Sequence, residues 1–181
     1  MGAIGTARKV KLFCGIIYSD ESVKEKAFAE LENKFGKIDF ISKTINFEEF
    51  TSYYNAEMGS GLKRLWISFE PLICASDLAA IKIFTNHAED LLAFEKKRRI
   101  NVDPGYITAA NVILASTKDF SHRIYIGQGI YAEVTTIYKK DGYVKLPWSY
   151  PDYMSPVSVD FLLNIRKVFM RRVKELCASA T

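Results

Sequence analysis

Four cations, Arg98, Arg99, Lys118 and Arg123, stand at what read as element ends in the middle of this 181-residue chain. The planar fork of arginine holds two oxygens at once, so the set suits a phosphate or a carboxylate. Asn101 and Asp103 follow in the run Asn101-Val102-Asp103-Pro104-Gly105-Tyr106. Asn101 would orient a bound anion, and Asp103 or His122 would carry a proton to or from it. Tyr106, Tyr125, Trp148, Tyr150 and Tyr153 offer stacking faces and hydroxyls. The chemistry implied is capture of a phosphorylated small molecule or nucleotide, with single-stranded RNA as an alternative ligand. Plainer readings stand beside this one. Lys96 to Arg99 would serve as a solvated helix end, where cations favour the macrodipole. His122 would be a hydrogen-bonded residue at a strand end, and the aromatics would be core.

Several chemistries are excluded. With two histidines, His87 and His122, and no HExxH, a zinc enzyme with several histidine ligands has too few donors unless carboxylates or cysteines contribute. Magnesium needs only one or two carboxylates and water, which Asp103, Glu133 and Asp152 would supply if the fold gathered them. Gly59-Ser60-Gly61-Leu62-Lys63 is only superficially a phosphate loop. It lacks the first glycine and has Arg64 where a hydroxyl should meet magnesium. No GxGxxG occurs, so NAD and FAD have no fingerprint, and no GxSxG marks a nucleophile. Ser121 and His122 are adjacent, which puts them on opposite faces of a strand. The net charge of +4, from 25 basic and 21 acidic side chains, is too mild to imply nucleic acid by itself. Three cysteines without a CxxC suit a reducing cytoplasm. No apolar run approaches the roughly 18 residues of a membrane span. Met1 to Val10 has no apolar signal core, and the myristoylation pattern at Met1 to Thr6 is short enough to arise by chance.

The elements that must position these groups follow from periodicity. Val10 to Tyr18 reads as a strand apolar on both faces, with Leu12, Cys14 and Ile16 on one and Phe13 and Ile17 on the other. Ser19-Asp20 caps a helix carrying Val23, Ala27, Leu31 and Phe35, and Gly36 stops it. Ile38 to Phe47 is a second strand. An irregular aromatic loop leads to a third, Leu62 to Phe69, which Pro71 ends. Ser76 caps a helix running to about Lys97, with Leu78, Ile81, Ala88, Leu91 and Leu92 inward. Lys82, Asn86 and Glu89 share another of its faces, solvated on the plain reading. Ile100 to Val102 is a short strand, and Asp103-Pro104-Gly105 is turn chemistry. Thr108 to Ser116 is helix or strand, with a helix capped by Thr108 preferred. A hairpin folds at Gly127-Gln128-Gly129, and Asp141-Gly142 turns the chain into Tyr143 to Leu146. Ser155-Pro156 opens a last helix with Leu162, Ile165, Phe169, Val173 and Leu176 inward.

The sum is an α+β fold with a mainly antiparallel sheet, a ferredoxin-like (split βαβ) start, a β-meander and a C-terminal helix. It forms one domain over 1–181, with flexible tails at 1–8 and 178–181.

Five strings carry a resemblance. They are Tyr53 to Gly59 (YYNAEMG), Arg99 to Tyr106 (RINVDPGY), Leu114 to Tyr125 (LASTKDFSHRIY), Gly129 to Thr135 (GIYAEVT) and Trp148 to Tyr153 (WSYPDY). Together they resemble an uncharacterised, mostly bacterial domain-of-unknown-function family of about this length. The resemblance implies a soluble single-domain protein and supplies no reaction. It also marks polar groups with no evident folding role, adding Glu57, Arg64, Asn86, Glu89 and Asp152 to those above. The expectation is one mixed-charge cleft containing Arg99, Asp103 and either Glu57 or Arg64. Arg64, Asn86, Arg98, Arg99, Asn101, Tyr106, Lys118, Arg123, Tyr150 and Asp152 would hold the ligand. Asp103, His122, Glu57 and Glu89 would move protons. The alternatives are an RNA-binding module and a homodimer formed through the tyrosines and the arginine-rich last helix.

Overall fold

The computed structural model describes Gly5, residues 7–140 and residues 142–179. In chain order it contains β1 (Lys9–Tyr18), α1 (Glu21–Phe35), β2 (Ile38–Ile41), β3 (Ile45–Asn46), α2 (Asn55–Met58) and β4 (Lys63–Cys74). There follow α3 (Leu78–Leu91), β5 (Ile100–Ile107), β6 (Asn111–Ser116), β7 (Ile124–Gly127), β8 (Ile130–Lys139), β9 (Gly142–Lys145) and α4 (Pro156–Ser179). The described strands form one nine-stranded antiparallel sheet in the order β2-β4-β1-β5-β6-β8-β7, with β3 on β4 and β9 on β8. The run β2-β4-β1-β5, with α1 and α3 as crossovers, is the split βαβ arrangement expected. Beyond it, β7 and β9 lie in tandem along one edge of β8 while β6 takes the other.

Alternation along β1 decides the layers. Leu12, Cys14, Ile16 and Tyr18 pack under α1 and α3 with Val23, Leu31 and Ile81. Phe13 points to the opposite face, where α4 supplies Phe161, Leu162, Ile165 and Phe169. Burying each such side chain contributes about 1.5–3 kcal/mol before entropy is counted. Asp20 caps α1 by accepting from the N–H groups of Ser22 (2.8 Å) and Val23 (3.4 Å), and Gly36 ends it at φ 89°. At the start of α4, Ser155 Oγ accepts from the N–H of Ser158.

Both prolines expected to break strands sit inside them. Pro71 falls in β4 where the pairing with β1 shifts register between Lys11 and Phe13, a bulge that asks no donor of it. Pro104 lies within β5 opposite Cys14, and β6 joins β5 only from Gly105 onward. Asp103-Pro104-Gly105 is therefore strand, not turn. The preferred helix over Thr108 to Ser116 is also wrong. Thr108 Oγ1 instead accepts from the N–H groups of Ala110 and Asn111 in the β5–β6 hairpin. The second strand breaks after Ile41, where Ser42 Oγ accepts the N–H of Trp66. Helix α3 stops at Leu91, and Phe94 pairs with Lys97 across a turn in which Glu95 and Lys96 have positive φ. The basic run is thus not a helix end. Leu91 and Leu176, expected inward, are more than half exposed. Most of the expected tails, and Asp141 of the expected turn, lie outside the described residues. Among the described residues no helix is long and apolar enough to cross a membrane.

Candidate functional site

The site begins where β6 leaves β5. From Ile100 to Pro104 no strand among the described residues lies beside the outer edge of β5, so backbone groups there need other partners. Helix α3 supplies them to Val102. Its N–H donates to Glu89 Oε1 at 2.7 Å, and its carbonyl accepts from Lys82 Nζ at 3.0 Å. The helix face read as solvated is therefore buried, with Lys82 6% and Glu89 4% exposed. Burial pushes the Glu89 carboxyl up to about 7, against the pull of Lys82.

A continuous polar chain runs on from there. Arg98 forks both oxygens of Glu57 at 2.6 Å, and its Nη1 reaches Asn101 Oδ1 at 3.0 Å and Glu89 Oε2 at 3.4 Å. The fork holds the Glu57 carboxyl below its ordinary range. Asn101 Nδ2 donates to Asp103 Oδ2 at 2.7 Å. Asp103 sits 3.5 Å from Lys82 Nζ and 3.4 Å from Arg64 Nη1. Burial works to raise the Asp103 carboxyl, but these cations outweigh it and hold the group low.

Arg64 forms the floor. Its side chain is 2% exposed and crosses β1 over Gly15, flanked by the rings of Trp66 and Tyr153 at 5.0 and 5.3 Å. A Cβ on Gly15 would lie 2.4 Å from Arg64 Nη2 and 2.9 Å from the Tyr153 hydroxyl, so a side chain there would displace the guanidinium from this path. Asp152 Oδ2 lies 3.1 Å from Arg64 Nε, close enough for ion pairing but without a hydrogen bond. Burial raises the Asp152 carboxyl. A buried guanidinium is tolerable only with such partners.

The mouth is built from the 116–123 loop and β8. Glu133, 3% exposed, accepts from Arg123 Nε at 2.8 Å and lies 3.1 Å from His122 Nε2. Arg123 also donates to Ser116 Oγ (2.8 Å) and to the Tyr150 hydroxyl (2.7 Å). Lys118 Nζ donates across the opening to the Tyr53 hydroxyl at 3.0 Å. The cleft's volume is about 620 Å³, within the range of small-molecule sites.

Of the residues expected in the cleft, Arg64, Asn86, Arg98, Asn101, Asp103, Lys118, Arg123, Tyr150 and Asp152 line it. Glu57 and Glu89 stand behind Arg98, and His122 stands behind Glu133. Arg99 does not join them. It turns outward to pair with Asp20, the α1 cap, and Arg98 takes the inward place instead. Tyr106 packs with Leu78 and Ala115 away from the opening. The three carboxylates considered for magnesium do not all gather, and the two that approach each other share a guanidinium. Asp103 and Asp152 face Arg64, Glu133 faces Arg123, and among the described residues no three His, Cys, Asp or Glu side chains could hold a metal. The sequence pattern does not single out Lys82 or Gly15 as parts of the site, and it offers Glu133 only as a metal ligand. The spacing of Lys82, Asn86 and Glu89 on one helix face was the available signal for the first.

No curated protein and no solved structure matches the chain. A family model described as Domain of unknown function (DUF4416) matches residues 8–169, a span that contains all five strings quoted above and the whole cleft. The chain belongs to the DUF4416 family.

Proposed function

We propose that the cleft binds a small anionic molecule, phosphorylated or carboxylated. The observation that carries this reading is Lys118. Five cations line the cleft against three carboxylates. Arg64 is shared by Asp103 and Asp152, Lys82 reaches Asp103, Arg98 is matched by Glu57 and Glu89, and Arg123 by Glu133. Lys118 alone among the five has no ion pair among the described residues, and it stands at the mouth, where its ammonium donates to the Tyr53 hydroxyl. Arg123, the Tyr150 hydroxyl and Ser116 lie on the same bank, so an anion at Lys118 would find further donors there. Arg64, with a single hydrogen bond described among its five donors, adds capacity at the floor. Asp152, buried with its pKa raised, is the acid-base group such a site offers. Glu89 is engaged with Val102 and Arg98 and serves the fold. RNA is disfavoured because four of the five cations already have carboxylate partners, whereas tracking a backbone needs cations free to replace counterions.

The test is a thermal-shift series over inorganic phosphate, sugar phosphates, nucleotides and organic acids. A ligand at 100 times its Kd adds roughly 2.7 kcal/mol to stability. Lys118→Ala should lose that shift while its ligand-free melting point stays near the parent's, since Lys118 is exposed. A parent that no anion stabilises, or a variant that keeps the shift, would sink the reading.

A further inference from the structure

We infer that the anion taken by this cleft carries a flat aromatic ring, so that its class is a nucleotide or another aryl phosphate or carboxylate. The inference rests on the reading of the cleft as an anion site and narrows it.

The motivating feature is the set of aromatic side chains at the mouth. Tyr53, Phe120 and Tyr150 line the cleft yet are 65%, 54% and 42% exposed, while Trp66, beneath Arg64, is fully buried and does not line it. Isolated exposed rings need no explanation, but three around one opening form a concentrated apolar surface of the kind binding sites use. Two of these rings are also held in place by neighbours, and the Arg123 guanidinium lies 4.9 Å from the centre of the Phe120 ring. Phe120 stacks on His122 at 4° between planes, and His122 stacks on Trp148 at 13°. The Trp148 indole is pinned by its Nε1–H donating to the Val134 carbonyl at 2.8 Å. Tyr53 meets Tyr54 edge-on at 5.0 Å. Faces fixed in this way are already oriented for a planar partner, which lowers the entropy lost on stacking.

Lys118 ties the rings to the charge. Its Nζ lies 4.8 Å from the centre of the Tyr53 ring as well as bonding to its hydroxyl. A ring-less anion would satisfy Lys118 and leave the aromatic faces wet. A neutral ring would cover the faces and leave Lys118 unpaired. A ring joined to an anion within one molecule does both. Further in, Asp103 and Asp152 present acceptors suited to hydroxyl or amino groups on the same ligand.

The experiment is titration calorimetry of the full chain with adenosine 5′-monophosphate, phenyl phosphate, benzoate, ribose 5-phosphate and adenosine. Ring-bearing anions should bind about tenfold more tightly than ribose 5-phosphate, the scale expected of one stacked ring. Phe120→Leu, which keeps apolar bulk at an exposed position but removes the ring face, should lower affinity for adenosine 5′-monophosphate by a similar factor and erase the difference. Comparing adenosine 5′-monophosphate with phenyl phosphate and benzoate separates a nucleotide from a simpler aryl acid, and tighter binding of either than of ribose 5-phosphate supports the ring. If ribose 5-phosphate binds as tightly as both, and Phe120→Leu changes nothing, the ring is wrong and the anion site stands. If none of the anions binds, or adenosine binds as well as its phosphate, the anion site itself is wrong and this inference falls with it.

Discussion

Two cations are buried on the inner strands of this sheet, Lys11 on β1 and Arg64 on β4, and they differ in what surrounds them. Lys11 is fully buried and bonds to Asp39 and to the Phe69 carbonyl, while Asp39 is itself held by Ser68 Oγ at 2.7 Å. Asp39 reaches Lys11 from β2 across the intervening β4, so the pair staples three strands. Burial lowers the Lys11 pKa and Asp39 opposes that shift. Lys11 does not line the cleft. Arg64 is buried to the same degree, has two carboxylates near it, and forms the floor of a cavity of about 620 Å³. Burial and charge therefore do not separate a structural ion pair from a site. What separates them is whether the donors are used up and whether open volume adjoins them.

The sharpest way to break this comparison is Asp39→Ala. It would strand a buried ammonium and should cost about 3–5 kcal/mol in urea denaturation, towards the lower end because Asp39 is partly solvated. Replacing both partners, Lys11→Met with Asp39→Leu, should restore most of that stability, as expected for a pair with no role beyond the fold. A cost below about 1 kcal/mol for Asp39→Ala would show that the staple is not structural at all.

Next in size is the Glu89 carboxyl, the fold's own partner for the β5 edge. Its folded value of about 7 lies above the ordinary 4.5, so the folded state holds the proton more tightly. The associated stability is present below pH 4.5 and lost as pH rises to about 7, on the order of 3 kcal/mol in all. Glu89→Gln keeps an acceptor for the Val102 N–H but cannot ionise. Denaturation midpoints of this variant should therefore fall less than the parent's between pH 5 and pH 8. An unchanged slope would mean that Arg98 and Lys82 already keep Glu89 ionised when folded.

The smallest effect separates neighbours in sequence. Arg99→Ala removes a solvent-exposed pair with Asp20 and should cost less than about 1 kcal/mol. It should also leave any anion-induced thermal shift in place. Loss of that shift would return Arg99 to the cleft and overturn the assignment of the inward place to Arg98.

The layers were legible because alternation on β1 and the cap at Asp20 are local signals. The errors came from neighbours that a sequence does not display. Whether a proline breaks a strand depends on which edge needs its N–H. Pro71 sits in a bulge, and Pro104 sits where β6 has not yet joined. Lys82 and Glu89 looked like surface residues because their burial depends on β6 parting from β5, a long-range event. Arg98 and Arg99 have the same chemistry. They stand next to each other in non-helical chain, so their side chains leave in different directions, and which one turns inward depends on the turn at Glu95 and Lys96 that a sequence does not display. The approximate stretch of the cleft could be found from its polar residues, but the identity of the inward arginine could not.

Gly15 has a consequence for how this protein can vary. It carries no functional group, so a search for chemically capable residues passes over it. Yet one methyl at that position would occupy the space of the Arg64 guanidinium. A side chain at position 15 would therefore push the position-64 charge off its path, although Arg64 belongs to the neighbouring strand and stands 49 residues further along the chain.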